Sequence, residues 1–440
     1  MESMQGHLLS LPLARWSAVF VAAALFLLAI ERSFGAPEWL GLKRGGGYTD
    51  LALTGIAQDY PRALAQADYH LASVNDRTRT MSGDWLMHNI SARAWLTRAR
   101  LTGSYEDHAA AKRSLEQAFA VASPGTGPHL TGAVLAFSMH RLPEAERYLD
   151  AIGRYAVPPD REEQAEVTAI RGDIALYRGD YGGALAQYDA ADRLAPGTSD
   201  FRRAIYLSFT GRPVLAEDYF NKAERALQNP TRHARGTLEL QRGILDLDRG
   251  RLDDALAHFR RANEIFPGFW LIEEHIAEVT ALKGDPGAAQ TMYRDIVRRT
   301  GHPEFMDALA EVAAAQGDRK AAEHWFSRAE AAWTQRLQAF PEASYGHAID
   351  HCIAKGDWPC ALSLARRNHQ ARPYGAAKIA LAKALLGSKR TAEARAVIDA
   401  VLATTWRTVD LHLTASEIYS ALGLAGPAAE QNRLARALAI

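Results

Sequence analysis

Residues 236–269, GTLELQRGILDLDRGRLDDALAHFRRANEIFPGF, contain one complete copy of a unit that recurs along this 440-residue chain. Its landmarks, in chain order, are Gly243, Gly250, Ala255, Phe259, Ala262 and Pro267. Residues three and four apart share one helix face, so Ala255 and Ala262 leave space there for a neighbouring helix and Phe259 fills it. Gly250 supplies the backbone freedom that a tight turn between two helices needs. The unit therefore predicts a helix, a turn and a second helix.

The landmarks of this unit recur at fixed offsets through the middle of the chain. The turn glycines are Gly179, Gly211, Gly250, Gly284, Gly317 and Gly356. An alanine follows each of them by five residues, at Ala184, Ala216, Ala255, Ala289, Ala322 and Ala361. An aromatic residue follows the first five glycines by nine residues, at Tyr188, Phe220, Phe259, Tyr293 and Phe326. Prolines close three units at one offset, at Pro196, Pro267 and Pro373. This regularity indicates an array of helical repeats.

The array resembles the tetratricopeptide repeat (TPR) family, whose period is 34 residues. Spacings between successive turn glycines are 32, 39, 34, 33 and 39, so the linkers after Gly211 and Gly317 are lengthened. Some units depart from the family pattern: the first-helix tryptophan is replaced by Thr168, Glu239 and Glu273, and the leucine before the packing glycine by Arg171 and Arg242. The resemblance is strong over residues 165–375 and weaker for units placed near 375–408, 409–440, 89–122 and 126–159.

The predicted fold is all-α, a right-handed superhelical solenoid of about eight to ten helix-turn-helix repeats, preceded by an N-terminal hydrophobic helix. We divide the chain into a membrane anchor or signal sequence (1–34), a flexible linker (35–50), degenerate helical repeats (51–164) and a TPR-like solenoid (165–440). Pro124 to Pro128 is interpreted as a loop between repeats, with a domain boundary as the alternative. Leu434 to Ile440 lacks a recognisable polar cap, so we expect that end to dock onto another surface.

The N-terminal segment Trp16 to Ile30 is an uncharged apolar run of 15 residues. A membrane-spanning helix needs about 20, which the flanking residues would have to complete. A cleaved signal peptide is the main alternative, although Pro37 after Ala36 makes a poor cleavage context. A buried helix of the fold is the third interpretation. We favour an uncleaved anchor, whose flanking charges do not fix its orientation, followed by a flexible tether that includes Gly45 to Gly47.

Composition and motifs exclude several classes of function. The chain has 51 basic and 51 acidic residues, and this zero net charge disfavours binding to nucleic acid. It has no phosphate-binding loop, no GxGxxG, no HExxH and no GxSxG, so neither nucleotide binding nor catalysis has a motif to support it. We therefore expect no enzyme activity and no cofactor.

The sequence feature closest to a metal site is His347 and His351, four residues apart on a predicted helix with Asp350 between them. This spacing can place two imidazoles on one ion. No third ligand is identifiable, so we expect the pair to be structural. A metal-binding or enzymatic protein that uses His347 and His351 remains the alternative function.

Two cysteines, Cys352 and Cys360, flank the turn at Gly356. They fall at the end of one predicted helix and the start of its antiparallel partner, where a disulfide is geometrically reasonable. A disulfide would indicate an oxidising compartment. Two buried thiols in a reduced protein are the equal alternative.

Charge is segregated between the two helices of each unit from about 270 to 375. The first helices carry Glu273, Glu274, Glu278, Glu304, Asp307, Glu311, Glu342 and Asp350. The second helices carry Arg294, Arg298, Arg299, Arg328, Arg366 and Arg367. The TPR resemblance implies that first helices line a concave groove, which would then be acidic. The alternative is an ordinary solvated helix face.

These patterns favour a membrane-tethered protein–protein interaction scaffold that binds a peptide or partner protein in its concave groove, such as an assembly factor for an envelope complex. A purely structural spacer is a further alternative. We expect a partner segment rich in Lys or Arg, no nucleic acid and no nucleotide. The predicted partner-binding residues, expected on solvent-facing positions, are Glu274, Glu278, Glu304, Asp307, Glu311 and Asp350. We expect the solenoid on the extracytoplasmic, periplasmic side, or secreted into the periplasm if the N-terminus is cleaved.

Overall fold

A computed structural model describes residues 57–227 and 230–439. In this part of the chain all the regular structure is helical. The helices are α1 (Tyr60–Thr80), α2 (Trp85–Thr102), α3 (Tyr105–Val121), α4 (His129–Ser138), α5 (Leu142–Ile152), α6 (Arg161–Tyr177), α7 (Tyr181–Leu194), α8 (Asp200–Phe209), α9 (Pro213–Ala226), α10 (Arg232–Asp248), α11 (Leu252–Ile265), α12 (Trp270–Leu282), α13 (Pro286–Thr300), α14 (Pro303–Ala315), α15 (Arg319–Ala339), α16 (Pro341–Ala354), α17 (Trp358–Ala371), α18 (Gly375–Gly387), α19 (Thr391–Leu402), α20 (Val409–Ala421) and α21 (Ala425–Leu438).

From α2 onward the helices pack as consecutive pairs, α2 with α3 through α20 with α21, and α1 packs on α2. Within the described residues this gives ten helix pairs, in agreement with the predicted all-α array. Neighbouring pairs share one apolar core that runs from Ala67 to Ala428. The segment at Pro124 to Pro128 is the loop between α3 and α4, as interpreted from the sequence.

The predicted packing landmarks lie in contact inside the pairs. A Cβ atom on Gly243 would be 2.3 Å from the ring of Phe259, which is completely buried. Gly172 has the same relation to Tyr188, at 2.6 Å. Only glycine lets the second helix bring its ring this close to the first helix backbone.

From α4 onward, the turn within each pair has one residue with left-handed backbone, and the N–H after that residue donates to the carbonyl five residues back. Gly250 has φ 75°, and the next N–H, of Arg251, donates to the Asp246 carbonyl at 2.9 Å. This is the arrangement that satisfies free carbonyls at a helix end. Four of the turns add a capping aspartate directly after the glycine, at Asp180, Asp285, Asp318 and Asp357.

Two pairs use another residue in place of the turn glycine. His140 has φ 58° between α4 and α5, and Lys389 has φ 63° between α18 and α19. The following N–H groups, of Arg141 and Arg390, still donate to the carbonyls five residues back. The missing glycines explain why the repeat pattern fades in these two units.

The second half of the solenoid stacks on the first half. Trp270 at the start of α12 donates from Nε1 to the Leu101 carbonyl at the end of α2, at 2.8 Å. The Gly375 N–H donates to the Tyr181 hydroxyl at 2.9 Å, and the Arg407 N–H donates to the Phe209 carbonyl at 2.7 Å. These contacts join units five or six apart along the chain, and two superhelical turns therefore lie in contact.

The C-terminal end takes part in this stacking. The Arg249 guanidinium, at the end of α10, donates from Nε to the Leu438 carbonyl at 3.1 Å. Leu438 also approaches Gly211, and the neighbouring backbone of Thr210 bridges to Arg407. Within the segment expected to dock, Leu438 contacts an earlier part of the same chain.

The predicted anchor at 1–34, including Trp16 to Ile30, and the linker at 35–50 lie outside the described residues. Across 57–227 and 230–439, none of the helices combines the length and apolar character needed to cross a bilayer.

Candidate functional site: the acidic first helices

The six predicted partner-binding acids lie on α12, α14 and α16, and the structure divides them into two groups. Glu311 and Asp350 are half-buried. The other four are buried, namely Glu274, Glu278, Glu304 and Asp307. The expectation that Glu278 faces solvent is wrong, because its side chain has no exposed area.

The reason is that the first helices are enclosed on almost every side. On α12 only Glu273, Ile276 and Thr280 keep partial exposure. Helices α11 and α13 pack on α12. At the N-terminal end of α12, Trp270 contacts Phe305 of α14 and donates to the Leu101 carbonyl of α2. The periodicity of the sequence predicts the neighbours within a repeat array, but it does not predict the contact of Trp270 with the other superhelical turn.

Glu304 is neutralised within the protein. Arg336 on α15 donates to its Oε2 at 2.8 Å, and His302 Nδ1 lies 3.4 Å from its Oε1. Burial opposes ionisation of Glu304, but Arg336 and His302 outweigh it and hold the pKa of the carboxyl well below its usual range. Glu304 therefore ties α14 to α15.

Asp307 is also satisfied internally. Trp333 Nε1 donates to its Oδ2 at 2.7 Å, and His351 Nδ1 lies 2.6 Å from its Oδ1. Burial raises the pKa of Asp307, and the hydrogen bonds from His351 and Trp333 oppose the rise. Asp307 thus links α14, α15 and α16 through three buried side chains.

This arrangement bears directly on the alternative metal site at His347 and His351. His351 is engaged with Asp307, while His347 stacks on Trp333 with ring centroids 6.0 Å apart. Burial lowers the pKa of His347 to about 4. Among the described residues the one group of side chains spaced to hold a metal ion lies elsewhere and includes neither histidine.

That group is Glu274, His275 and Glu278 on α12, all buried. His275 Nδ1 lies 3.2 Å from Glu274 Oε1 and 3.2 Å from Glu278 Oε2. The His275 ring stacks on Phe259 of the preceding unit, with centroids 5.1 Å apart. The three side chains therefore converge at one point beside the second helix of the preceding repeat.

Electrostatics set this cluster apart from Glu304 and Asp307. Burial raises the pKa of Glu278 to about 8 and, with Glu278 and Glu304 nearby, raises the pKa of Glu274 as well. Burial lowers the pKa of His275 to about 3. Among the described residues no Lys or Arg forms an ion pair with Glu274 or Glu278. The cluster holds two carboxyls that the surrounding protein does not neutralise.

Sequence reasoning missed His275 and misjudged Glu278, although a signal was present. Aligned by their turn glycines, Glu274 and Glu278 correspond to Leu240 and Ile244 in the preceding unit, and both of those are buried apolar residues. The apolar counterparts show that these two positions can belong to the core, which a solvated face does not explain.

The structure joins Cys352 on α16 to Cys360 on α17 by a disulfide across the turn at Gly356. The Cα atoms are 5.8 Å apart, within the range that a disulfide requires. The bond ties the first helix of this unit to the second.

A cavity of about 440 Å³ lies where the two superhelical turns meet. Helices α3, α4 and α5 line it on one side, and the end of α15 with Phe340 lines it on the other. Arg141 reaches across its edge towards Glu342, with Nε 3.5 Å from Oε2. Its lining mixes acidic, basic and apolar side chains and does not define a ligand.

Comparison with known proteins finds no matching family model and no matching curated protein. Solved structures do show similarity. A tetratricopeptide repeat protein from Parabacteroides merdae is 16% identical over 55% of this chain and 93% of its own, with a TM-score of 0.33. Yeast Tom70 is 14% identical over 86% of this chain and 90% of its own, with a TM-score of 0.41.

A third similar structure is a Rap protein complexed with Competence and Sporulation Factor, 15% identical over 70% of this chain and 96% of its own, with a TM-score of 0.42. At these identities and TM-scores the likenesses carry no argument about what this chain binds. Its own helix pairs define it as an all-α helical-repeat protein.

Proposed function

We propose that the chain is a membrane-tethered scaffold that binds a peptide or a segment of a partner protein along its first helices. The observation that carries this proposal is the position of Glu311 and Asp350. Each lies six residues before its turn glycine, on the first helices of two successive units, and each keeps partial exposure. Stacked repeats hold such residues in fixed positions, so a ligand segment is ordered without much loss of freedom in the receptor.

The partner segment is expected to be basic. Glu304 and Asp307 are already hydrogen-bonded by other side chains of the protein, and Glu274 and Glu278 are too deeply buried for a partner to reach. Only Glu311 and Asp350 of the predicted set are accessible. A Lys or Arg side chain would pair with these carboxylates, and the binding would weaken with salt, mainly through a slower association rate.

Charge reversal tests this role. Glu311→Lys with Asp350→Lys should abolish capture of the partner by crosslinking and pull-down from the native membrane, while the helical circular dichroism signal is kept. The matched control is Glu264→Lys with Glu323→Lys, which makes the same charge change at exposed positions on second helices. Equal capture by the two double variants, or an acidic partner segment, would refute the acidic recognition surface.

Membrane tethering through Trp16 to Ile30 and an extracytoplasmic location complete the proposal. The disulfide between Cys352 and Cys360 supports an oxidising compartment. A scaffold attached to a membrane and exposed to such a compartment is suited to assembling an envelope complex. If the N-terminus is cleaved, the same solenoid would act as a soluble periplasmic protein.

A further inference from the structure

We propose that Glu274, His275 and Glu278 form a binding site for a divalent transition-metal ion inside the solenoid. The site is separate from the proposed partner surface, which uses Glu311 and Asp350, so each idea can fail without the other. Three observations on α12 support it: the register of the acids, their lack of compensating charge and the geometry of the ligand atoms.

The equivalent positions in the two preceding repeats show that the fold does not require acids here. Counting back from the turn glycines, Glu274 corresponds to Leu240 in one unit and to Phe201 in the unit before it. Glu278 corresponds in the same way to Ile244 and Ile205. All four counterparts are buried apolar residues. A carboxylate in such a place costs several kcal/mol unless a cation or hydrogen bonds compensate it.

Other buried acids in the first helices of this protein are paired with an arginine. Arg202 donates to Glu166 at 2.6 Å and to Asp173 at 2.8 Å. Arg242 donates to Glu239 at 2.8 Å. The described residues provide no Lys or Arg partner for Glu278, whose Oε1 is buried without a hydrogen-bond partner. A cation is the component missing from this cluster.

The ligand geometry fits an ion. Each carboxylate oxygen lies 3.2 Å from His275 Nδ1, and the three ligand atoms all fall within 4.8 Å of one another. In a tetrahedral zinc site with metal–ligand bonds of about 2.0–2.1 Å, neighbouring ligand atoms are about 3.3 Å apart. The two His275 contacts already have that length.

The donor set selects the class of metal. One imidazole nitrogen with two carboxylate oxygens suits Zn²⁺, Co²⁺, Fe²⁺ or Mn²⁺, whereas Ca²⁺ and Mg²⁺ prefer oxygen ligands alone. With both carboxylates ionised, a divalent ion would bring the cluster to neutrality.

The test uses the purified full chain, stripped with a chelator, dialysed and titrated with Co²⁺ and Zn²⁺. We expect one equivalent of metal per chain, a visible Co²⁺ absorption band from a low-symmetry site, displacement of Co²⁺ by Zn²⁺ and a higher Tm with metal. Since changing even the supporting residues of a metal site costs roughly 10- to 100-fold in affinity, Glu274→Gln with Glu278→Gln should lose at least that much.

A second pair of variants guards against simple misfolding. Glu274→Leu with Glu278→Ile installs the residues of the preceding unit, so it should fold, bind no Co²⁺ and gain no stability from metal. Glu264→Gln with Glu323→Gln, at exposed positions, should bind like the wild type. Wild-type protein that takes up no more metal than the Leu/Ile variant, or shows no Co²⁺ band, would overturn the proposal.

Discussion

At the scale of single residues, the buried charges of Arg202 and Arg242 are compensated by buried acids. Arg242 donates a hydrogen bond to Glu239 at 2.8 Å. The repeat family has leucine at the position of Arg242 and tryptophan at the position of Glu239. Arg242 also contacts Glu217 at 2.8 Å and Glu224 at 3.0 Å on α9. Two departures from the repeat pattern thus form one ion-pair network that joins neighbouring units.

The buried histidines His140 and His347 should make the stability of the protein depend on pH. Burial, with Arg372 and His347 nearby, lowers the pKa of His140 well below its usual value, and burial lowers that of His347 to about 4. As pH falls below about 6.5, unfolded histidine binds a proton and these folded ones do not. The unfolding free energy should therefore fall with pH, by up to roughly 1.4 kcal/mol per pH unit for each histidine.

Urea unfolding at a series of pH values between 7.5 and 5 measures this slope. His140→Asn is the informative variant, because Asn tolerates the left-handed backbone at this position, where φ is 58°. It should make the slope shallower. If the unfolding free energy of this variant depended on pH as steeply as that of the wild type, protonation of His140 would not contribute to the pH dependence.

At the scale of helices, the α10–α11 unit depends on Gly243, which lets its two helices touch. Gly243→Ala would put a methyl group 2.3 Å from the Phe259 ring, which has no free space to move into. We expect a loss of about 1–3 kcal/mol, typical of overpacking a core. Chemical denaturation, followed by circular dichroism, measures it.

The matched control is Gly426→Ala on α21, where a Cβ atom would meet nothing within 4 Å. Alanine favours the helix by up to about 1 kcal/mol over glycine, so this variant should be unchanged or slightly more stable. Equal losses at the two sites would mean that the contact with Phe259 does not explain the loss at Gly243.

The disulfide is the second prediction at this scale. Cys352 and Cys360 close a short loop across the turn of the α16–α17 pair, with a sequence separation of 8. Cys352→Ala with Cys360→Ala should lower stability by roughly 2–3 kcal/mol in the chain-entropy model. Alkylation of unreduced, denatured protein, read by mass spectrometry, should label neither cysteine; labelling of both would establish the reduced alternative.

At the scale of the whole molecule, contacts between the two superhelical turns join residues far apart in sequence. Phe209 stacks on Trp406 with ring centroids 4.4 Å apart, and Tyr177 packs on Tyr374 at 4.8 Å. Solenoids are usually stabilised between nearest neighbours only. Here the second turn adds long-range contacts, so unfolding should be more cooperative than in an open array.

The anchor prediction also belongs to this scale. If Trp16 to Ile30 stays attached, the mature protein should sediment with membranes and be released by detergent but not by high salt, which weakens only electrostatic attachment. Deleting residues 1–40 should give a soluble solenoid with the same helicity. An intact mass that begins beyond Ala36 would contradict the anchor and favour a cleaved signal peptide.

The sequence by itself determined the all-α class, the helix pairs and the packing role of Gly243 and Phe259. These features depend on spacings of three, four and about 34 residues, which local helix geometry and nearest-neighbour stacking impose. The units whose turn residue is His140 or Lys389 were harder to recognise, because the left-handed backbone there is held by hydrogen bonds and not by glycine.

Only the tertiary structure decided which acids remain accessible. Glu278, Glu311 and Asp350 have the same register in their units, yet Glu278 is buried and the other two are half-buried. Register assigns a residue to a helix face, but its burial depends on which units the superhelix brings against that face. The stacking of one turn on another is set by contacts about six units apart, and no spacing within a repeat encodes them.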